Sequence, residues 1–188
     1  MDAVGAALPR LSATHAGTGY PAAGATVLWR GDITRLGVDA IVNAANAQML
    51  GCFVPFHACI DNAIHSAAGP RLREDCARVM DAQGHDEPTA VCKVTRAYNL
   101  PSRYVLHTVG PIVRGPLAHE HESQLADAYP ACLEAAAEVG ARSIAFCAIS
   151  TGVFGYPKEP AARTALAAVA AWLDVHPSAL DAVVFNVF

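Results

Sequence analysis

A three-layer α/β/α sandwich around a mixed central sheet is the fold class this sequence predicts, and three observations predict it. From residue 25 onward, short apolar runs bounded by Gly, Asp, Asn and Pro alternate with stretches whose apolar residues recur every three to four positions. The run at 143–149 is almost continuously apolar, the pattern of a strand covered on both faces. Finally, 188 residues with 53% hydrophobic content can bury one core of ordinary domain size. Strands and helices in alternation imply mostly crossover connections.

Residues 1–24 are rich in Ala, Gly, Ser, Thr and Pro without a sustained period, and read as a loose leader. A first strand is expected at 25–29, ending at Arg30-Gly31-Asp32, and a second at 39–43. From 59 to 68 the apolar spacing turns helical through Ile60, Ile64, Ala67 and Ala68. Gly69-Pro70 then opens a second helix running to about Gln83, with Leu72, Cys76 and Val79 on its apolar stripe. Strands follow at 90–95 and 104–109, joined by a turn with Asn99 and Pro101. A helix is expected over 122–139. Pro130 lies inside it, removing a ladder hydrogen bond, so a kink or two shorter helices are expected. After the strand at 143–149 and the loop 150–157, Glu159-Pro160 opens a helix burying Ala165, Val169, Trp172 and Leu173, and 181–188 closes the chain as a strand.

Charge and cysteine usage narrow the function. Thirteen basic and seventeen acidic residues give a net charge of -4 without a Lys/Arg cluster, which argues against long nucleic acid as a partner. A small anion is still compatible, because backbone N–H groups hold phosphates without lysines. Six cysteines in a chain able to bury a core suggest thiols in a reducing compartment, so the cytoplasm is expected. No apolar run approaches the roughly 20 residues that span a bilayer, so no membrane partner is expected. The chain is read as a monomer.

Chemistry concentrates between Asn43 and His65. Cys52, His57 and Cys59 are spaced C-x4-H-x-C, so one tight loop can aim two thiolates and an imidazole at a common point, a donor set that suits Zn2+. Three protein ligands leave a fourth position for water or substrate, as in catalytic sites. Two buried thiols and a capped histidine are the plainer alternative, since the spacing is not a common zinc-finger pattern. Cys76, Cys92, Cys132 and Cys147 have apolar neighbours and read as small buried hydrophobes.

Several separated segments then occur in a known order: Gly31-Asp32-Ile33-Thr34; Val38-Asp39-Ala40-Ile41-Val42-Asn43-Ala44-Ala45-Asn46; Tyr98-Asn99-Leu100-Pro101 with His107-Thr108-Val109-Gly110-Pro111; and 149–156. Together they resemble the signature segments of macrodomains, over nearly everything after residue 25. The loop from Gly51 to Cys59 is similar to that of the zinc-dependent macrodomains. That resemblance implies a mono-ADP-ribosyl hydrolase holding zinc at Cys52, His57 and Cys59, acting on a mono-ADP-ribosylated protein such as a lipoylated carrier. It implies a macrodomain over 25–188. The chain stops at Asn186-Val187-Phe188, where the family usually continues into a final helix, and the N-terminal segment typical of the zinc subfamily is missing or replaced by the leader.

ADP-ribose sets what each residue would have to do. Asp32 offers a carboxylate acceptor to the exocyclic amine of adenine, or else caps the following turn; Ile33 would add a backbone donor. The glycines in the loop Ser150, Thr151, Gly152, Val153, Phe154, Gly155 and Tyr156 permit close backbone approach, so its N–H groups can cradle a diphosphate. Phe154 could pack on a sugar face or lie as a lid over the core. Asn43 and Asn46 could orient ribose hydroxyls, or stabilise a turn. Resemblance places Asp61 at the catalytic aspartate of hydrolytic macrodomains, although a helix N-terminus favours an acid there in any case. His65 reads as a packed or surface histidine. A hydrolase removing mono-ADP-ribose from acidic side chains, with Asn46 and Asp61 as catalytic residues, is favoured over a non-catalytic ADP-ribose reader and over a structural zinc domain. The reader would tolerate loss of Asp61 and the metal loop; the structural domain would supply a fourth ligand.

Overall fold

The computed structural model describes residues 22, 24–54 and 57–188, so the expected leader falls almost wholly outside the described residues. Six strands form one sheet: β1 (Thr26–Arg30), β2 (Ala40–Ala45), β3 (Cys92–Arg96), β4 (Tyr104–Val109), β5 (Ser143–Phe146) and β6 (Ala182–Val187). Their order is β1-β6-β5-β2-β4-β3, and every neighbouring pair is parallel except the antiparallel β3–β4 pair. Four α-helices flank it: α1 (Ile60–Ala68), α2 (Pro70–Gln83), α3 (His119–Glu138) and α4 (Lys158–Val175). This is the mixed, helix-covered sheet that the alternation of elements predicts.

The two faces separate by residue parity, because side chains alternate along a strand. Asn43 and His107 are paired across β2 and β4. Both face α1, where Asn43 bonds to Asp61. Thr108, the next residue on β4, and Cys92 on β3 turn instead toward Cys132 of α3. Ile41, Val42, Val105, Leu106, Ile144 and Val184 are fully buried between the layers. Burying each such side chain stabilises the fold by roughly 1.5–3 kcal/mol relative to exposure.

Local chemistry sets the boundaries. Cys59 caps α1, its sulfur accepting from the Asn62 N–H at 3.4 Å. A single residue, Gly69 at φ +86°, separates α1 from α2, with Pro70 at the first turn of α2. The expectation of two shorter helices around Pro130 is not met. α3 is continuous, because Leu125, Ala128 and Tyr129 before the proline and Cys132, Leu133 and Ala136 after it all bury on one face. One missing ladder bond does not outweigh that packing. The strand expected at 143–149 ends instead at Phe146: Cys147 and Ile149 stay buried, but the chain has left the ladder with β2 and β6 to form the loop beyond.

Asp39, expected as the first residue of β2, stands just before it and ties three strands together. Its Oδ2 accepts from the N–H of Arg142 at 2.8 Å and from the N–H and hydroxyl of Ser143 at 3.1 Å each, while its carbonyl accepts from the N–H groups of Arg103 and Tyr104 at 2.9 and 3.0 Å. Partial burial alone would raise its pKa. The Arg142 N–H, the two donors of Ser143 and the Arg103 guanidinium outweigh that and hold the carboxyl below its ordinary value. A carboxylate with a depressed folded-state pKa contributes stability that is present above the unfolded pKa and lost as pH falls through the folded one. Asp39→Ala is therefore expected to lower stability by about 1–2 kcal/mol at pH 7. Urea unfolding of the two proteins should converge as the pH is taken down through the acid range; a gap that persists at the lowest pH where both fold would contradict this.

Candidate active site and metal-binding loop

Because β1, β6, β5, β2 and β4 run the same way, the loops after β1, β2, β4 and β5 leave from one sheet edge. Carboxyl ends of parallel strands are where open α/β sheets place ligands. Asp32, Asn46, Gly110 and Ser150 all follow such ends.

Asp32 is exposed and N-caps the short 3-10 turn Ile33–Arg35, its Oδ1 accepting from the N–H and hydroxyl of Thr34 at 3.0 and 2.7 Å. The cap reading is met through Oδ1, while Oδ2 has no hydrogen-bond partner among the described residues. The end of β1 is fixed by β6, since Asn186 donates to the Gly31 carbonyl at 2.8 Å and the Gly31 N–H bonds to Val187 at 3.0 Å. Ile33 is 2% exposed. Only its backbone can serve a ligand.

In the loop after β5, Ser150 takes φ +63° and Gly155 φ +72°. The Tyr156 N–H closes on the Ser150 carbonyl and the Gly155 N–H on that of Gly152, both at 3.0 Å. The N–H groups of Gly152, Val153 and Phe154 are left without a partner among the described residues. That is the open row of donors an anion requires. A Cβ on Gly110 would lie 2.1 Å from the Ser150 hydroxyl, and one on Gly155 2.7 Å from the Val113 carbonyl, so both approaches need glycine. Phe154 is half-buried, with its carbonyl bound by Val113, and Val153 is exposed. Tyr156 differs from its reading as a ligand contact. Its ring is core and its N–H is already used, so it anchors the base of the loop.

The two asparagines divide. Asn46 is half-buried; its side chain accepts from the Met49 N–H and donates to the Gly51 carbonyl, both at 3.1 Å, which braces the turn leading to Cys52. Asn43, expected to orient a ribose, is instead fully buried beneath the site. Its amide donates to Asp61 Oδ1 at 2.7 Å and lies 3.2 Å from His107 Nδ1. It positions Asp61.

Asp61 is 4% exposed, in the first turn of α1. Burial raises its pKa; the Asn43 amide, then His65 and Arg73, work against that without cancelling it. Its Oδ2 is buried with no protein partner. His65, 3.5 Å away, is packed and not a surface residue, and burial holds it neutral. Behind them His107 is brought down to about 3 by burial, with its Nε2 2.9 Å from the Thr95 hydroxyl. Cys76 is pushed up to about 12 by burial. His65, Cys76 and His107 cluster closely enough to suggest ligands, but as neutral groups in a closed core they form the floor under Asp61.

Cys52, His57 and Cys59 come together: their donor atoms lie within 4.8 Å of one another, and Cys52 Sγ is 3.1 Å from His57 Nδ1. Zinc with Zn–S of about 2.3 Å and Zn–N of about 2.0–2.1 Å sets its ligand atoms roughly 3.5–3.8 Å apart, so closing the donor separations by up to about an ångström would seat it. Burial pushes the Cys59 thiol up, against the Asn62 N–H that favours the thiolate. A bound cation reverses that balance. All three residues are half-buried.

Sequence reasoning missed His107 and Thr95 as supports of Asn43, and missed Arg73 behind the loop. A histidine inside the apolar run of β4 was the one available sign; its partner depends on strand pairing.

Comparison with known proteins agrees with this geometry. The Macro domain family profile matches residues 42–165. Over 161 residues, 86% of this chain and 61% of the relative, the sequence is 57% identical to a protein-ADP-ribose hydrolase of Treponema medium. It is 48% identical over 162 residues, 86% of this chain and 60% of the relative, to a protein of the same name from Staphylococcus aureus (strain MRSA252). The chain thus spans about three fifths of the length of these relatives. Among solved structures, a Trypanosoma brucei macrodomain in complex with ADP-ribose superposes with a TM-score of 0.73 at 42% identity, covering 86% of this chain and 62% of that one. An Oceanobacillus iheyensis macrodomain with ADP gives 0.76 at 36% identity, covering 86% and 82%. With the profile matching well over half of the chain and solved macrodomains superposing on it, the chain belongs to the macrodomain family.

Proposed function

We propose that this protein hydrolyses the bond joining mono-ADP-ribose to an acidic side chain of a modified protein, and that it holds zinc to do so. The observation that carries the proposal is the convergence of Cys52, His57 and Cys59 beside the N-terminus of the helix that presents Asp61, on the edge where the 150–156 loop offers free N–H groups. The names of the hydrolase relatives support the same reading.

Asp32 takes the adenine amine through its free oxygen, and the Gly152, Val153 and Phe154 N–H groups take the diphosphate. Neither part of the ligand reacts, so their binding positions the distal ribose at Asn46 and the metal loop. Zinc bound there supplies a Lewis acid that lowers the pKa of water or polarises a hydroxyl. Asp61 holds or accepts a proton at Oδ2, the oxygen without a protein partner, while Asn43 fixes Oδ1. A burial-raised pKa suits proton exchange better than a permanently ionised carboxylate does. Six unpaired cysteines fit a reducing compartment, and a lipoylated carrier protein is the first substrate to try.

The roles separate experimentally. Cys52→Ser should lose zinc and turnover together. Asp61→Ala should keep close to one zinc per chain and most ADP-ribose binding, while release of ADP-ribose from a modified protein falls by about 10²–10⁴-fold. Metal analysis, calorimetry and the release assay on the same preparations decide it; full turnover by folded Cys52→Ser protein would remove zinc from the reaction, and full turnover by Asp61→Ala would remove the carboxylate.

For the adenine contact, Asp32→Ala should weaken ADP-ribose binding roughly five-fold to more than a hundred-fold, the effect of losing a polar partner worth about 1–3 kcal/mol. Equal calorimetric affinities for this variant and the wild type would place the base elsewhere.

A further inference from the structure

Arg73 projects from α2 behind the metal loop. Its guanidinium carbon lies 4.5 Å from the centroid of the Phe53 ring. One terminal nitrogen would sit 3.2 Å from a Cβ on Gly51, and the same Cβ would meet the His65 ring at 3.0 Å, so the loop begins by lying flat against these two side chains. Gly51, at φ +85°, has the conformation and the bare face that this contact needs. Gly51 and Phe53 flank Cys52. The arginine touches both neighbours of a proposed ligand.

Among the described residues no carboxylate meets its guanidinium directly. The Nε is buried without a hydrogen-bond partner, and among the described residues no carboxylate forms an ion pair with it. A half-buried cation without a contact ion pair is costly, and added negative charge nearby offsets that cost. Zinc with two thiolates is neutral, and the adjacent Asp61 carboxylate makes the loaded site negative by one charge. Arg73 is close enough for its field to act on Asp61 and His65.

We infer that Arg73 is a positioning residue of the metal loop: it clamps Phe53 and Gly51 so that Cys52 faces His57 and Cys59, and it offsets the negative charge of the loaded site. This rests on the proposed zinc site and extends it from the ligands to the residue that holds them. Supports of this kind change metal affinity by about 10–100-fold when removed.

Zinc dissociation constants from competition with a chromogenic chelator, and thermal midpoints of the metal-free proteins, test it on wild type, Arg73→Met and Phe53→Leu. Both variants should bind zinc about 10–100-fold more weakly, with metal-free midpoints close to wild type and ADP-ribose affinity unchanged. Wild-type zinc affinity in Arg73→Met overturns the inference, as does a fall in metal-free stability without a change in zinc affinity. Should Arg73→Met fail to fold, Phe53→Leu at its 66% exposed position decides the clamp alone, and wild-type zinc affinity there overturns it. Wild-type protein that takes up no zinc would instead remove the metal site itself, a failure distinguishable from the other two.

Discussion

One amide governs the geometry of this site. Asp61 is a carboxylate held almost out of water, and the 2.7 Å bond from Asn43 is its one short contact with a donor. Without that donor only the helix N-terminus, His65 and the more distant Arg73 would favour its charge, and a buried carboxylate so weakly supported protonates instead. Asn43 holds its place because β2 pairs with β4 in a register that puts it opposite His107, which in turn meets Thr95 on β3. Three strands and the start of α1 therefore share one polar seam through an otherwise apolar core. The seam is partnered on one side only: Asn43 Oδ1 and Asp61 Oδ2 are buried without a protein partner, which leaves them the polar atoms of the seam open to a ligand or water.

Above that seam the site divides by stiffness. The strand ends and the glycine-dependent turn at 150–156 are set by sheet hydrogen bonds and steric fit, and in the proposed function they would carry the parts of the ligand that do not react. The metal loop is set by side chains: Asn46 braces its entry, Asn62 donates to the His57 carbonyl at 3.1 Å, and Cys59 caps α1. A cation bound there would be continuous with the helix that presents Asp61, since Cys59 precedes Asp61 by two residues. On the proposed function, the half of the site that holds Asp61 would depend on ligation more than the half at the strand ends does.

Most of the fold could be read from the chain because its elements are marked locally. Gly69-Pro70, the alternating apolar runs and the terminal glycines define helices and strands without knowledge of the partner. The exceptions share a cause. The end of β5 at Phe146 and the continuity of α3 through Pro130 are decided by tertiary contacts, which override local signals. In the site, the convergence of Cys52, His57 and Cys59 was legible because type and spacing sit in one loop, whereas Asp61 was singled out through the family resemblance. Asn43 and Tyr156 were legible as important but not in orientation, since one residue of strand or loop parity turns a ligand contact into a buried support. Arg73 and His107 act through neighbours far off in sequence, so nothing near them in the chain points to the role.

The most direct measurement is a zinc titration of the reaction itself. Metal-free protein, prepared by chelation and shown to be folded, is mixed in excess with a mono-ADP-ribosylated protein, and the single-turnover rate of ADP-ribose release is followed as zinc is added back. Interdependence of the metal loop and Asp61 predicts a negligible starting rate that climbs in proportion to zinc and levels off at one equivalent per chain. A metal-free rate equal to the loaded one, or a plateau unrelated to that equivalence, would contradict it.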